Sequence, residues 1–160
     1  MERWLTDEEQ QAWRRLAAMT MLLPAALESQ LQRDAGLTHF AYWVLAMLSE
    51  APGRARRMSE LAALANGSQS RLSHLISKLE ERGWVRRERA DGDGRGQVAV
   101  LTDAGYDLVV ATAPGHVREV RRLVFDALSP AQVQALHDIC TAVVARLIPE
   151  DESGDPALPC

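Results

Sequence analysis

The 160-residue chain is long enough for one domain with a real core, and its 47% hydrophobic and 25% charged residues are ordinary for a soluble globular protein. Two cysteines, Cys140 and Cys160, are too few for a disulfide framework, and the formal net charge of −4 argues against a protein that coats nucleic acid through a uniformly basic surface. The charge is uneven, however: from Arg54 to Arg95 ten Arg/Lys stand against six Asp/Glu, net +4, and the remainder carries −8. A polyanion responds to that local field rather than to the total.

The N-terminal run MERWLTDEEQ is charged and lacks the apolar core of a secretory signal. The most apolar stretch, Leu16 to Leu27, is too short to cross a bilayer and contains Pro24. A cytoplasmic protein without membrane contact is the expectation. Thr6 to Glu9 reads as a capping box that opens a helix running through Trp13, Leu16, Leu23, Leu27 and Leu31 to Gly36, with Pro24 kinking or dividing it. Its apolar residues go nearly all the way round, so more than one neighbour must bury it. Thr38 opens a second helix with Phe40, Ala41, Val44, Leu45 and Leu48 as its core stripe, ended by Glu50-Ala51-Pro52-Gly53. Arg54, Arg56 and Arg57 fall in the following loop, as phosphate contacts or as a solvated charge run.

The stretch from Met58 to Thr102 organises the rest. A short helix capped by Ser59 carries Leu61, Ala62, Leu64 and Ala65, and Asn66-Gly67 stops it. Ser68 or Ser70 caps the next helix, where Leu72, Leu75, Ile76 and Leu79 fall at i, i+3, i+4 and i+7 and leave the polar residues, Ser77 among them, facing outward. Gly83 ends it. Trp84 to Arg89 and Gln97 to Leu101 then pair as strands across the glycine-rich turn Asp91 to Gly96. Two helices, a tight turn and a hairpin make a winged helix-turn-helix, so the fold is mainly α with a small β-hairpin wing. The exposed face of the second helix, Ser68, Gln69, Ser70, Arg71, Ser73 and His74, suits a DNA major groove, and Arg71 matches the two acceptors of guanine. Arg86, Arg87 and Arg89 alternate on the strand, which turns Arg87 or its neighbours toward phosphate.

After the wing, Thr102-Asp103-Ala104-Gly105 caps a long helical region interrupted at Pro114-Gly115. Ser129-Pro130-Ala131-Gln132 restarts a last helix with Val133, Leu136, Ile139, Cys140, Val143, Val144 and Leu147 on its apolar side, where Cys140 reads as a small core residue. The acidic tail 149–160 has the composition of a disordered segment. The terminal helices are more apolar than a lone winged helix requires. The expected organisation is a single domain, 1–148, with a DNA-binding lobe at 37–102 and dimerisation helices at 6–35 and 103–148. A two-fold dimer places two recognition helices in successive major grooves, so its operator is a pseudo-palindrome.

Several of these residues carry a family pattern. Glu60-Leu61-Ala62, the run Leu79 to Arg87, Asp93-Gly94-Arg95 and Leu101-Thr102-Asp103-Ala104-Gly105 resemble the DNA-binding core of the MarR family of bacterial transcription regulators. The helical patterns on either side extend the resemblance over about residues 6–148. It implies a homodimer on double-stranded DNA, most often a repressor, with Arg95 entering the minor groove while Asp93 holds it. An Arg on a short loop suits a narrow, electronegative groove. The resemblance also implies a cleft between the DNA-binding lobe and the dimer helices for a small aromatic or anionic effector, with Trp13, His39, Trp43 and His116 as its candidate lining. Redox-sensing relatives use a cysteine in or near the first helix, and this chain has none there.

An enzyme is the weaker reading. His39, His74, His116 and His137 are widely spaced without a metal-ligand pattern, and there is no nucleophile elbow, Cys-x-x-Cys or phosphate-binding loop. No catalytic residue, metal or cofactor is expected. The alternative is a nucleoid-type or protein-binding winged-helix dimer without an effector. The polar residues at 69, 70, 71, 73 and 74 argue against a protein-binding recognition face.

Overall fold

The computed structural model describes residues 3–65, 68–90 and 96–147. Expectations placed on Asn66, Gly67, the wing tip with Asp93 and Arg95, Pro149 and the tail with Cys160 lie outside those residues. Six α-helices and three strands follow in the order α1 (Asp7–Ala35), α2 (His39–Glu50), β1 (Ala55–Arg57), α3 (Met58–Leu64), α4 (Gln69–Glu81), β2 (Val85–Arg89), β3 (Gln97–Leu101), α5 (Asp103–Leu123) and α6 (Pro130–Leu147). The strands form one antiparallel sheet in the order β1-β3-β2, with Val85 opposite Leu101 and Ala55 opposite Val100.

The helix starts follow the local chemistry. Thr6 accepts from the Glu9 amide while the Glu9 carboxylate accepts from the Thr6 amide, a complete capping box. Thr38, Ser68 and Thr102 each cap through a side-chain oxygen. Ser129 and Gln132 cap α6 reciprocally. The core gathers on α2, whose Val44, Leu45 and Leu48 are buried with Leu31 of α1, Leu61 of α3 and Leu72 and Ile76 of α4. Burial of such side chains contributes about 1.5–3 kcal/mol each before entropy is counted.

Four expectations are corrected. Arg56 and Arg57 lie in β1 rather than in a loop, because the free edge of β3 takes a third strand. That strand runs directly into α3, which starts at Met58 with Arg57 at its N-cap and no side-chain cap, so Ser59 sits inside the first turn. Neither Pro24 nor Pro114 divides its helix. Each proline frees a carbonyl four residues back, at Thr20 and Val110, and these residues are exposed, so water can satisfy the carbonyls. Cys140 is exposed, not part of the core, because α6 buries none of its residues within its own chain.

One joint ties the wing to α5. Gly83 follows α4 at φ 73°, a left-handed conformation that costs glycine little. The Thr102 hydroxyl donates to the Gly83 carbonyl at 2.7 Å and accepts from the Gly105 amide at 3.1 Å, while the Thr102 amide donates to the Trp84 carbonyl at 3.0 Å. Gly105 is buried against the same turn, where a Cβ would overlap the Trp84 carbonyl oxygen and come within 2.7 Å of a Leu101 methyl. Gly105→Ala should destabilise the fold by roughly 3 kcal/mol, since the clashing atom is backbone and cannot rotate away. Thermal unfolding checks this, and an unchanged Tm would refute it.

Candidate nucleic-acid interface

Helix α4 has two sides with different duties. Leu72, Ile76 and Leu79 fasten it to the core, and Leu75 and Ser77 are half-buried at the margin. Ser68, Gln69, Ser70, Arg71, Ser73, His74 and Lys78 are exposed, so the structure leaves the whole expected recognition face open. The Ser68 hydroxyl accepts from the Arg71 amide at 3.1 Å, which orients the helix start. The Arg71 guanidinium lies 4.2 Å from the centre of the Phe40 ring at the start of α2, a cation–π contact that limits its sweep.

The remaining arginines divide by what they touch. Arg54, at φ 55°, lies 3.6 Å from the Tyr106 ring centre and pairs with Asp103 at 3.1 Å, so it braces the start of α5. Arg86 pairs with Glu88 along the same strand. Arg57 is exposed, with a guanidinium nitrogen near Gly96 at the base of the wing. The Arg87 side chain donates to the Ser73 carbonyl at 2.7 Å and to the Ser77 hydroxyl at 2.8 Å, which turns it onto α4.

A second cluster forms where α1, α2 and α5 meet. His39 and His116 ring centres are 6.3 Å apart, His39 and Trp43 6.4 Å, and Tyr42 and His116 4.6 Å. His116 Nδ1 lies 3.2 Å from the Gln30 amide oxygen, and Gln30 donates to Asp34 at 2.8 Å. Gly115 lets the helices approach, since a Cβ there would stand 3.1 Å from the Asp34 carboxylate. Three of the four residues expected to line an effector cleft therefore come together. Trp13 does not: it is 59% exposed, and seventeen residues of helix put it about 25 Å from Gln30. Sequence reasoning passed over Gln30, Asp34 and Tyr42, although Gln30 interrupts the apolar stripe of Leu27 and Leu31, which is itself a signal of a satisfied buried polar group.

Burial lowers the pKa of His39, with Glu28 opposing, and burial together with the nearby His39 lowers that of His116. Both therefore favour the neutral ring. Among the described residues no group of His, Cys, Asp or Glu is arranged to hold a metal ion, and no helix is long and apolar enough to cross a membrane.

These elements define a winged helix-turn-helix carried on long terminal helices. The MarR family model matches residues 35–96. A MarR family transcriptional regulator from Streptomyces coelicolor, Sco3205, solved in complex with DNA, is 48% identical over 99% of this chain and 97% of its own, with a TM-score of 0.90. AbsC, a second MarR family regulator from Streptomyces coelicolor, is 42% identical over 91% of this chain and 98% of its own, with a TM-score of 0.85. The transcriptional repressor MprA of Escherichia coli K12 is 24% identical over 74% of this chain and 67% of its own length. The chain belongs to the MarR family and is a DNA-binding transcription regulator, not an enzyme.

Lowered folded-state values for His39 and His116 mean that the unfolded chain binds these protons more tightly. Stability is therefore unaffected above the ordinary imidazole value of about 6.5 and falls as pH drops through the window below it. His116→Gln should flatten part of that fall in thermal unfolding between about pH 7.5 and pH 5. An identical pH profile in the variant would remove His116 from this role.

Proposed function

We propose that this protein is a cytoplasmic repressor that binds a pseudo-palindromic operator as a homodimer and is released by a small aromatic or anionic effector. Residues 37–102 form the DNA-binding lobe, and 6–35 with 103–148 form the dimerisation helices. The observation that carries this reading is the unpartnered apolar surface of the terminal helices. Met21, Leu22, Val117, Ile139, Val143 and Leu147 are all exposed in the single chain. Met19, Leu22, Leu123, Leu128, Leu136 and Ile139 help line one groove of about 590 Å³ between α1 and the helices after the wing. Apolar patches of this extent mark interaction sites, and an obligate dimer that covers them buries over roughly 2,000 Å².

With the dimer formed, the two α4 helices reach successive major grooves. Gln69, Ser70, Arg71, Ser73 and His74 supply base and phosphate contacts, and the positive end of the α4 dipole at Ser68 favours phosphate. Arg95, with Asp93, is assigned to the minor groove. His39, Trp43 and His116 form the effector-facing group, at the junction of the DNA-binding lobe with α1 and α5. Selection of bound genomic fragments at near-physiological salt tests the reading: a shared short pseudo-palindrome supports it, and fragments without a motif favour a coating or protein-binding role.

Two variants separate the parts. Ile139→Asp places a charge in the apolar groove and should yield a monomer by light scattering, with operator affinity lower by about 100-fold or more because the second half-site is no longer tethered. A dimer of unchanged mass would contradict the interface. Arg71→Ala should cost roughly 1–3 kcal/mol on the selected operator and relax preference at one base pair per half-site. Unchanged discrimination in a gel-shift titration against base-substituted duplexes would withdraw the assignment.

A further inference from the structure

Strand β2 is an edge strand, and at residue 87 its outward backbone amide meets α4 rather than another strand. Residue 87 fills that gap. Its backbone amide donates to Glu80 Oε1 at 2.8 Å. Its guanidinium donates through Nη2 to the Ser73 carbonyl at 2.7 Å and to the Ser77 hydroxyl at 2.8 Å, and its Nε lies 3.5 Å from Glu80 Oε2. Ser73, Ser77 and Glu80 fall at i, i+4 and i+7, one stripe along two turns of the helix. The Ser77 hydroxyl in turn donates to the Ser73 carbonyl at 3.0 Å, so the partners are linked to one another. The side chains of Arg87 and Glu80 are 23% and 31% exposed, in contrast to Arg86 at 55%.

We infer that Arg87 is a positioning residue for specificity: bound to Ser73, Ser77 and Glu80, it fixes the angle between the recognition helix and the wing. The sequence expectation for this residue was contact with phosphate. With Nη2 bonded to Ser73 and Ser77 and Nε facing the Glu80 carboxylate, the guanidinium is held against α4, and a helix free to tilt about its buried stripe cannot hold several side chains on base edges together. Phosphate contacts tolerate such a tilt, because the backbone presents charge all along the groove; base contacts do not. A Lys in place of Arg keeps the charge but loses the planar group that sets Nη2 on Ser73 and Ser77 while Nε faces Glu80.

The inference rests on the operator-binding reading above, and the experiment keeps the two apart. Wild type, Arg87→Gln, Arg87→Lys, Ser77→Ala and the Arg87→Gln/Ser77→Ala double variant are titrated, at several salt concentrations, against a duplex carrying the selected pseudo-palindrome and against a scrambled duplex of equal length. Positioning predicts that both Arg87 variants lose roughly tenfold on the operator and little on the scrambled duplex, with the salt slope on the latter unchanged. Ser77→Ala, which removes no charge, shifts the same ratio in the same direction, and the double variant adds little beyond Arg87→Gln. Equal losses on both duplexes with a shallower salt slope, retained binding in Arg87→Lys and a silent Ser77→Ala would overturn it in favour of a phosphate contact. A wild type that does not discriminate between the duplexes fails the operator reading instead. Ser77→Ala is conservative enough to keep the test valid should the Arg87 variants unfold.

Discussion

The molecule depends on one hydroxyl. Thr102 closes the end of β3, caps α5 and bonds the turn that follows the recognition helix, so three elements meet within hydrogen-bonding distance of a single side chain. Gly105 makes the meeting possible by leaving room for the Trp84 carbonyl. Because α5 continues unbroken for 21 residues from this point, the DNA-reading lobe and the apolar helices are joined through a stiff element rather than a linker. A change in the direction of α5 is therefore a change in the direction of the lobe.

The two surfaces of the chain differ in what they lack. On α4 the exposed side is polar and cationic, which suits an anionic duplex. On α1, α5 and α6 the exposed side is apolar, and water is a poor neighbour for it. Between them lies the His39–Tyr42–His116–Gln30 group, where His116 and Gln30 are hydrogen-bonded and the rings of His39, Tyr42 and His116 lie against one another at the point where α1, α2 and α5 converge. Burial disfavours a charge on either histidine, and a proton on both would set like charges side by side, so this junction favours neutral rings.

Much of this was legible in the sequence because it is locally encoded. The capping box at Thr6, the caps at Thr38 and Thr102, the stripe of Leu72, Ile76 and Leu79 and the glycine after α4 each follow from spacing of a few residues. What escaped was non-local. Ala55 to Arg57 has no strand pattern of its own and becomes one because β3 offers an edge. Arg87 alternates on its strand as a phosphate-facing residue would, but its partners come from another helix. Trp13 and His39 looked equivalent as aromatic candidates, and only the length of α1 separates them. Pro24 and Pro114 leave their helices undivided because the cost of a helical proline depends on whether the freed carbonyl faces water, which periodicity does not reveal.

The short sheet also shows how a regulator that must expose sticky surfaces avoids sticking in the wrong way. A three-stranded sheet has two open margins, each able to recruit a strand from another chain. The β1 margin is only three residues long and carries Arg56 and Arg57. At the β2 margin the outward amide of Arg87 is already occupied by the Glu80 carboxylate, and the strand itself bears three arginines and a glutamate. Sheet-to-sheet polymerisation is thus suppressed by charge and by prior occupation, and association is left to the helices.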